Sequence, residues 1–183
     1  CFDKGAEIIG YYEKAKKYAN QTGDIRRGIA ASTFWYNTAV YPIALETSSC
    51  RIVMNQDGSV QFQLGETEIG QGADTVAAQM IADTVGIPLS MVHPVSCQDT
   101  DITPFGTGVY ASRGPYTLGF SVRQTALLLK EKILEAAHQF TRMPVYNLDL
   151  VDGKIIRTTD GRELMTIGEL ALSKLYTTEG SQH

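Results

Sequence analysis

Two glycine-rich stretches concentrate the groups in this chain that could hold a ligand. The first, Gly65-Glu66-Thr67-Glu68-Ile69-Gly70-Gln71-Gly72, follows an alternating run and leads straight into a stretch of helical periodicity. Gly70 and Gly72 let the main chain approach a ligand closely, and the Gln71 carboxamide between them can both donate and accept a hydrogen bond. The second runs from Gln98 to Gly114 and contains Asp99-Thr100-Asp101 and Pro104-Phe105-Gly106-Thr107-Gly108-Val109-Tyr110-Ala111-Ser112-Arg113. Its hydroxyls and glycines suit a polyhydroxylated or phosphorylated ligand, and it too ends before a helix, whose N-terminal N–H groups favour anions. Neither stretch is a GxGxxG dinucleotide turn or a GxxxxGK[ST] phosphate loop.

The local charge decides how such a ligand would be held. Residues 61–115 carry one cation, Arg113, against six acids, Glu66, Glu68, Asp74, Asp83, Asp99 and Asp101. An anion bound there must therefore be gripped by backbone N–H groups, so both loops should converge on one crevice with their amides unpaired. Other candidates are weaker. Asp99 and Asp101 lack the further acids of a calcium loop and suit Asx turns. His93 and His138 each stand without a second ligand at metal spacing, and neither a GxSxG elbow nor an HExxH pair is present. Trp35, Tyr36 and Tyr41 could line a pocket for a planar substrate, although aromatic runs more often belong to a sheet. Glu163 suits a turn, and Glu169, three residues after Thr166, a capping box.

The elements that must position these loops follow from periodicity. Residues 4–22 space Ile8, Tyr12, Ala15 and Ala19 as one amphipathic helix that stops at Gly23. Residues 28–54 are β-like, in Thr33–Tyr36, Val40-Tyr41 and Arg51–Met54, and Asp57-Gly58 closes a hairpin onto Val60–Leu64. Helices are expected over 73–86, 117–141 and 166–175, a strand at 91–97, a second hairpin around Asp152-Gly153, and a frayed tail at 177–183. The whole reads as an α+β fold, a mixed sheet of hairpin strands with three to four packed helices.

With 183 residues, 43% apolar and 20% charged, the chain can bury a core, and a net charge of −4 leaves no basic field for nucleic acid or anionic lipid. No apolar run reaches the roughly 18 residues of a membrane span. Cys1, Cys50 and Cys97 are too scattered for a disulfide framework, which implies a reducing, cytoplasmic setting.

Arg27-Gly28-Ile29-Ala30, the Thr67–Gly72 core followed by Thr75, and the Asp99–Arg113 loop, taken in order, resemble the molybdenum hydroxylases of the xanthine dehydrogenase and aldehyde oxidoreductase type. The resemblance implies a C-terminal part of the molybdopterin-binding subunit, with residues 1–183 forming one piece of that domain. It implies a molybdenum–molybdopterin cofactor, as the cytosine dinucleotide in bacterial forms. Gly70, Gln71, Gly72, Gly106, Thr107, Gly108, Tyr110, Ser112 and Arg113 would then be cofactor contacts, and Val40 and Tyr41 would sit at the substrate pocket. The family oxidises purines, N-heterocycles or aldehydes with water as oxygen source. Electrons leave through iron–sulfur clusters to FAD on other domains or subunits, and those, with the remainder of the molybdopterin subunit, are the expected partners.

The chain departs from that pattern where chemistry is concerned. The family's catalytic glutamate sits in a Gly-Glu motif beyond the second loop, and Gly168-Glu169 has the wrong surroundings for it. No catalytic residue and no metal ligand is therefore assigned, and a piece of this kind is expected to be inactive alone. A self-contained binding module for a phosphorylated or nucleotide ligand is the alternative.

Overall fold

A computed structural model describes residues 1–176; the tail expected to fray, 177–183, lies outside the described residues. Backbone contacts divide the chain into two units, Cys1–Tyr36 and Asn37 onward.

In the first unit the expected single helix is two, α1 (Phe2–Ile8) and α2 (Tyr11–Tyr18). Gly10 separates them because it takes φ +63°, a left-handed conformation that no continuous helix contains. After α2 the Gln21 carboxamide fastens the chain, donating to the Tyr18 carbonyl at 2.9 Å and accepting from the Arg27 N–H at 2.9 Å. The β-like run Thr33–Tyr36 forms no strand, and Trp35 is fully exposed. Branched and aromatic residues favour a sheet only when a neighbouring strand takes up their backbone donors, and no such pairing reaches this run among the described residues.

Among the described residues the second unit holds two small sheets and three α-helices. Strand β1 (Cys50–Met54) pairs antiparallel with β2 (Val60–Leu64), placing Cys50 opposite Leu64 and Met54 opposite Val60. The Asp57-Gly58 turn between them is the expected one: Gly58 has φ +84°, and the Asp57 carboxylate accepts from the Ser59 N–H. Helix α3 (Ala73–Val85) then crosses over to β3 (Val92–Pro94), which lies parallel to β2. The sheet therefore contains one βαβ crossover that the hairpin spacing did not reveal. Val40-Tyr41 is not a strand either; it leads into a turn over Tyr41–Ile43.

Helix α4 (Gly119–Thr141) is the longest, preceded by a π-helical turn over Gly114–Leu118. Beyond it β4 (Leu148–Val151), β5 (Lys154–Arg157) and β6 (Glu163–Thr166) make an antiparallel sheet, and α5 (Ile167–Tyr176) closes the described chain. Glu163, expected in a turn, lies on β6 and pairs with Lys154 at 2.7 Å. A four-residue strand with polar ends carries too little alternation to be read, and its register comes from β5. The capping box at Thr166 forms in both directions: Glu169 accepts from the Thr166 N–H at 2.7 Å, and Thr166 Oγ1 accepts from the Glu169 N–H at 3.2 Å.

One core joins both sheets. Val60, Phe62 and Leu64 of β2, Ala77, Ile81 and Val85 of α3, and Val122, Ala126 and Ile133 of α4 are buried together with Leu150, Ile155, Ile167 and Leu170. Alanines on α3 and α4 let the two helices pack against each other, which fixes the end of β2 and the start of α3, where the first glycine loop lies. Full burial of Phe62 alone contributes on the order of 2–3 kcal/mol.

Candidate functional site

The two glycine loops meet backbone to backbone. A Cβ added to Gly65 would lie 2.4 Å from the Phe105 carbonyl oxygen, and one added to Gly106 would lie 2.0 Å from the Gly65 carbonyl oxygen. Only glycine at both positions permits this approach. The Gly65 N–H donates to the Ser49 carbonyl at 2.8 Å, so the contact is anchored to the chain entering β1.

Beneath that contact lies Arg113, whose side chain is fully buried. Its Nε donates to Glu46 Oε2 at 2.5 Å, and Nη1 donates to Glu66 Oε1 and to the Gly108 carbonyl, each at 2.8 Å. Nη2 donates to the Thr47 carbonyl at 2.6 Å, and the Tyr110 ring faces the guanidinium with its centroid 5.3 Å from Cζ. Ala111 and Ser112, just before it, take φ +49° and +48°. Left-handed geometry costs a non-glycine residue about 1–2 kcal/mol, and here two in succession turn the chain immediately before the buried guanidinium.

The electrostatics of the cluster are uneven. Glu66 is raised above the ordinary carboxylate range, first by burial, with Glu46 adding to the shift and Arg113 and Thr117 opposing it. Glu46 is held low, chiefly by its hydrogen bond from Arg113. Glu66 Oε2 is buried with no hydrogen-bond partner among the described residues. The segment's one cation thus faces two carboxylates of the protein. Arg113, expected at the cofactor surface, is a buried tie between loops instead, because all its exposed area has been spent on Glu46, Glu66 and two carbonyls.

The backbone donors divide between the loops. In the first, the Glu68 carboxylate accepts from the N–H groups of Gly70 at 2.7 Å, Gly72 at 3.0 Å and Asp74 at 3.1 Å. Gln71 is engaged as well, its Oε1 accepting from the Ile69 N–H at 2.7 Å and its Nε2 donating to the Thr67 carbonyl at 3.2 Å. The expectation of open amides at this helix N-terminus fails, since a carboxylate of the loop already occupies the place an anion would take. In the second loop the N–H groups of Gly106, Thr107 and Gly108 are half-buried and engage no acceptor among the described residues. Thr107 Oγ1 donates to the Thr47 carbonyl at 3.2 Å, so its side chain serves the loop's own shape.

Ala39 N–H donates to the Ala111 carbonyl at 2.7 Å and Val40 N–H to Glu46 Oε1 at 2.5 Å, which ties the chain before Tyr41 to the Arg113 cluster. Tyr41 and Ser112 are exposed and Tyr110 is half-buried. Asp99 Oδ1 accepts from the Asp101 N–H at 2.9 Å, an Asx turn. His138 Nδ1 lies 2.6 Å from the Met143 carbonyl, a helix-end contact.

A family model described as a molybdopterin cofactor-binding domain matches residues 4–182. The chain belongs to that family. It is 42% identical over 177 residues to the putative xanthine dehydrogenase molybdenum-binding subunit of Escherichia coli K12, covering 96% of this chain and 24% of that protein. It is 31% identical over 151 residues to the carbon monoxide dehydrogenase large chain of Afipia carboxidovorans, covering 74% of this chain and 18% of that one. Among solved structures, reconstituted CO dehydrogenase from Oligotropha carboxidovorans matches with a TM-score of 0.63 at 28% identity, over 70% of this chain and 16% of that one. The chain thus spans about a quarter of the length of the curated relative with the 42% match. Its α+β arrangement is that of these molybdopterin-binding domains.

Sequence reasoning missed Glu46, Glu66 and Glu68 as parts of the site. Glu68 had a readable signal, an acid two residues before a glycine at a helix N-terminus. Glu46 had none, because its role arises from a contact 67 residues away. Backbone N–H bonds from Gly72 and Asp74 hold Glu68 below its ordinary value, so its share of loop order is present above that value and lost as pH falls through the depressed one. The amide resonances of Gly70, Gly72 and Asp74 should titrate together at that lowered midpoint, and Glu68→Gln should abolish the transition. Independent titration of the three amides would overturn the assignment.

Proposed function

We propose that this chain cradles the molybdenum cofactor of a xanthine dehydrogenase-like hydroxylase that oxidises a purine, N-heterocycle or aldehyde. The observation that supports it most is the row of unpaired, half-buried amides at Gly106, Thr107 and Gly108, held against the first loop at Gly65. Those donors suit the oxygen or sulfur acceptors of a molybdopterin, in its cytosine dinucleotide form, without needing cationic side chains. Gly70 and Gly72 have open space where a Cβ would stand, so a flat ligand can lie against the main chain there. Gln71 is exposed beside them and can exchange its internal bonds for contacts to the ligand. Tyr110 and Ser112 complete the wall of the second loop, Arg113 supports it from below, and Val40 and Tyr41 border the substrate side. The bound cofactor supplies the redox-active metal that lets water serve as the oxygen source. The chain's own residues bind and orient it. Iron–sulfur and FAD partners and the rest of the molybdopterin subunit supply electron transfer and the catalytic base, in the cytoplasm.

Metal analysis of the purified full-length parent protein tests this reading. Molybdenum near one atom per subunit is expected, together with the fluorescence of an oxidised pterin after acid release. Absence of both, with saturable binding of inorganic phosphate, would establish the binding-module alternative. Gly72→Ala should lower molybdenum content about tenfold while costing only about 1–2 kcal/mol of stability, since its Cβ meets no protein atom and only the left-handed φ is strained. Wild-type molybdenum content in that variant would remove the first loop from the site.

A further inference from the structure

We propose that Arg113 is a positioning residue for the cofactor site, a buried fork that locks three separate chain segments into the arrangement in which the Gly106–Gly108 amides are presented. The inference rests on the cofactor reading above. Four of the five N–H donors of the guanidinium are used, one each to Glu46, Glu66, the Gly108 carbonyl and the Thr47 carbonyl. These acceptors come from the 46–48 segment, the first loop and the second loop. No other side chain among the described residues is bonded to all three.

The geometry requires a fork rather than a charge. A planar guanidinium reaches acceptors on several sides at fixed angles, whereas an ammonium is a point donor on a flexible stem. Thr47 reinforces the tie, since its carbonyl accepts from both Arg113 Nη2 and Thr107 Oγ1. Gly108, whose own carbonyl is held by Nη1, has φ +115°. With its carbonyl fixed in this way, the Gly108–Val109 peptide plane cannot rotate freely, so the loop is held immediately after the residues whose amides it presents.

The arrangement also explains why the only cation between residues 61 and 115 is placed out of a ligand's reach. Two carboxylates around one guanidinium leave no positive charge to attract a phosphate, and with both ionised the cluster is net negative. Its value lies in geometry. Leaving Glu66 Oε2 unpartnered is a cost the fold accepts at this point.

The test compares Arg113→Lys and Arg113→Met with wild type in the full-length parent protein, reading molybdenum content and site-resolved amide hydrogen exchange. In Arg113→Met, exchange at the hydrogen-bonded amides of Gly65, Gly70, Gly72 and Arg113 should quicken together by about tenfold or more, while Ile81, Val122 and Ile133 in α3 and α4 stay within about twofold. Molybdenum content should fall by a similar factor. Arg113→Lys should behave like Arg113→Met, because charge without the fork cannot bridge the acceptors; full rescue by lysine would overturn the proposal. Should Arg113→Met fail to fold, Glu46→Gln decides: faster exchange at the bonded amides of 65–72, to which Glu46 makes no hydrogen bond, supports transmission through Arg113, and an effect confined to 46–48 refutes it. The exchange readout does not depend on the cofactor. If the wild-type parent holds no molybdenum, the cofactor reading falls while the loop-locking role is still judged on its own.

Discussion

Gly106→Ala is expected to destabilise the protein by about 3 kcal/mol or more and to abolish cofactor retention, the largest effect of any single methyl group at the site. The added Cβ would stand 2.0 Å from the Gly65 carbonyl oxygen and 2.6 Å from its carbon, atoms that cannot swing aside as a side-chain end could. Gly65 is itself held by its N–H bond to Ser49 and by its place at the end of β2, whose Phe62 and Leu64 are buried in the core. The second loop must therefore retreat. Retreat would draw the Gly108 carbonyl away from Arg113 and leave a buried guanidinium short of an acceptor. Gly106 does not occupy the left-handed region, so alanine is conformationally allowed there and the loss isolates the contact. A fall in melting temperature of about 6 °C or more would register it, given the usual scaling for a domain of this size. Gly65→Ala attacks the same approach from the other side, at 2.4 Å from the Phe105 carbonyl oxygen. Once either variant has opened the loops the other has less to lose, so the double variant should cost clearly less than the sum. Additive losses would mean that the two glycines do not share one contact.

The reach of the sequence can be judged on these same residues. Gly65 and Gly106 stand out in composition, and the order of the two loops is what carries the resemblance to molybdenum hydroxylases. Their mutual contact could not be read, because close approach across 41 positions leaves no periodic trace in either segment. Periodicity located α3, α4 and α5 well, since each buries a continuous stripe, and it located the Asp57-Gly58 hairpin and the Thr166–Glu169 box, since both are local chemistry. It failed over Thr33–Tyr36 and Val40-Tyr41. Intrinsic β preference there meets no partner strand among the described residues, and Phe34, Trp35, Tyr41 and Ile43 stand exposed. Arg113 is the most instructive case. The charge count singled it out as the one cation between residues 61 and 115, and the resemblance to molybdenum hydroxylases placed it among the cofactor contacts. Burial reverses that inference, because the acceptors nearest in space, Glu46 and Glu66, belong to the protein.

Gly86→Ala should be comparably damaging, about 4 kcal/mol, for a reason remote from the ligand. The sequence marks Gly86 as a helix stop, and it is one: φ is +92°, and the Ala82 carbonyl accepts from both the Gly86 N–H at 2.9 Å and the Ile87 N–H at 3.1 Å. Left-handed geometry alone would cost alanine about 1–2 kcal/mol. The larger share comes from packing, since the new Cβ would lie 1.9 Å from the Leu150 carbonyl oxygen on β4, while the Gly153 N–H donates to the Gly86 carbonyl at 3.0 Å from the β4–β5 turn. Gly86 is thus the point where α3 is fastened to the second sheet, with its other end carrying the first glycine loop. Gly161→Ala is the control, with φ +71° and no atom within 4 Å of the added Cβ, so it should show the conformational cost alone. Thermal melts of the two variants should differ by the packing share, with Gly86→Ala melting well below Gly161→Ala. Equal losses would show that the helix end relaxes away from β4. Molecules of Gly86→Ala that remain folded should keep their cofactor, unlike those of Gly106→Ala, because the change lies at the far end of α3 from the loops.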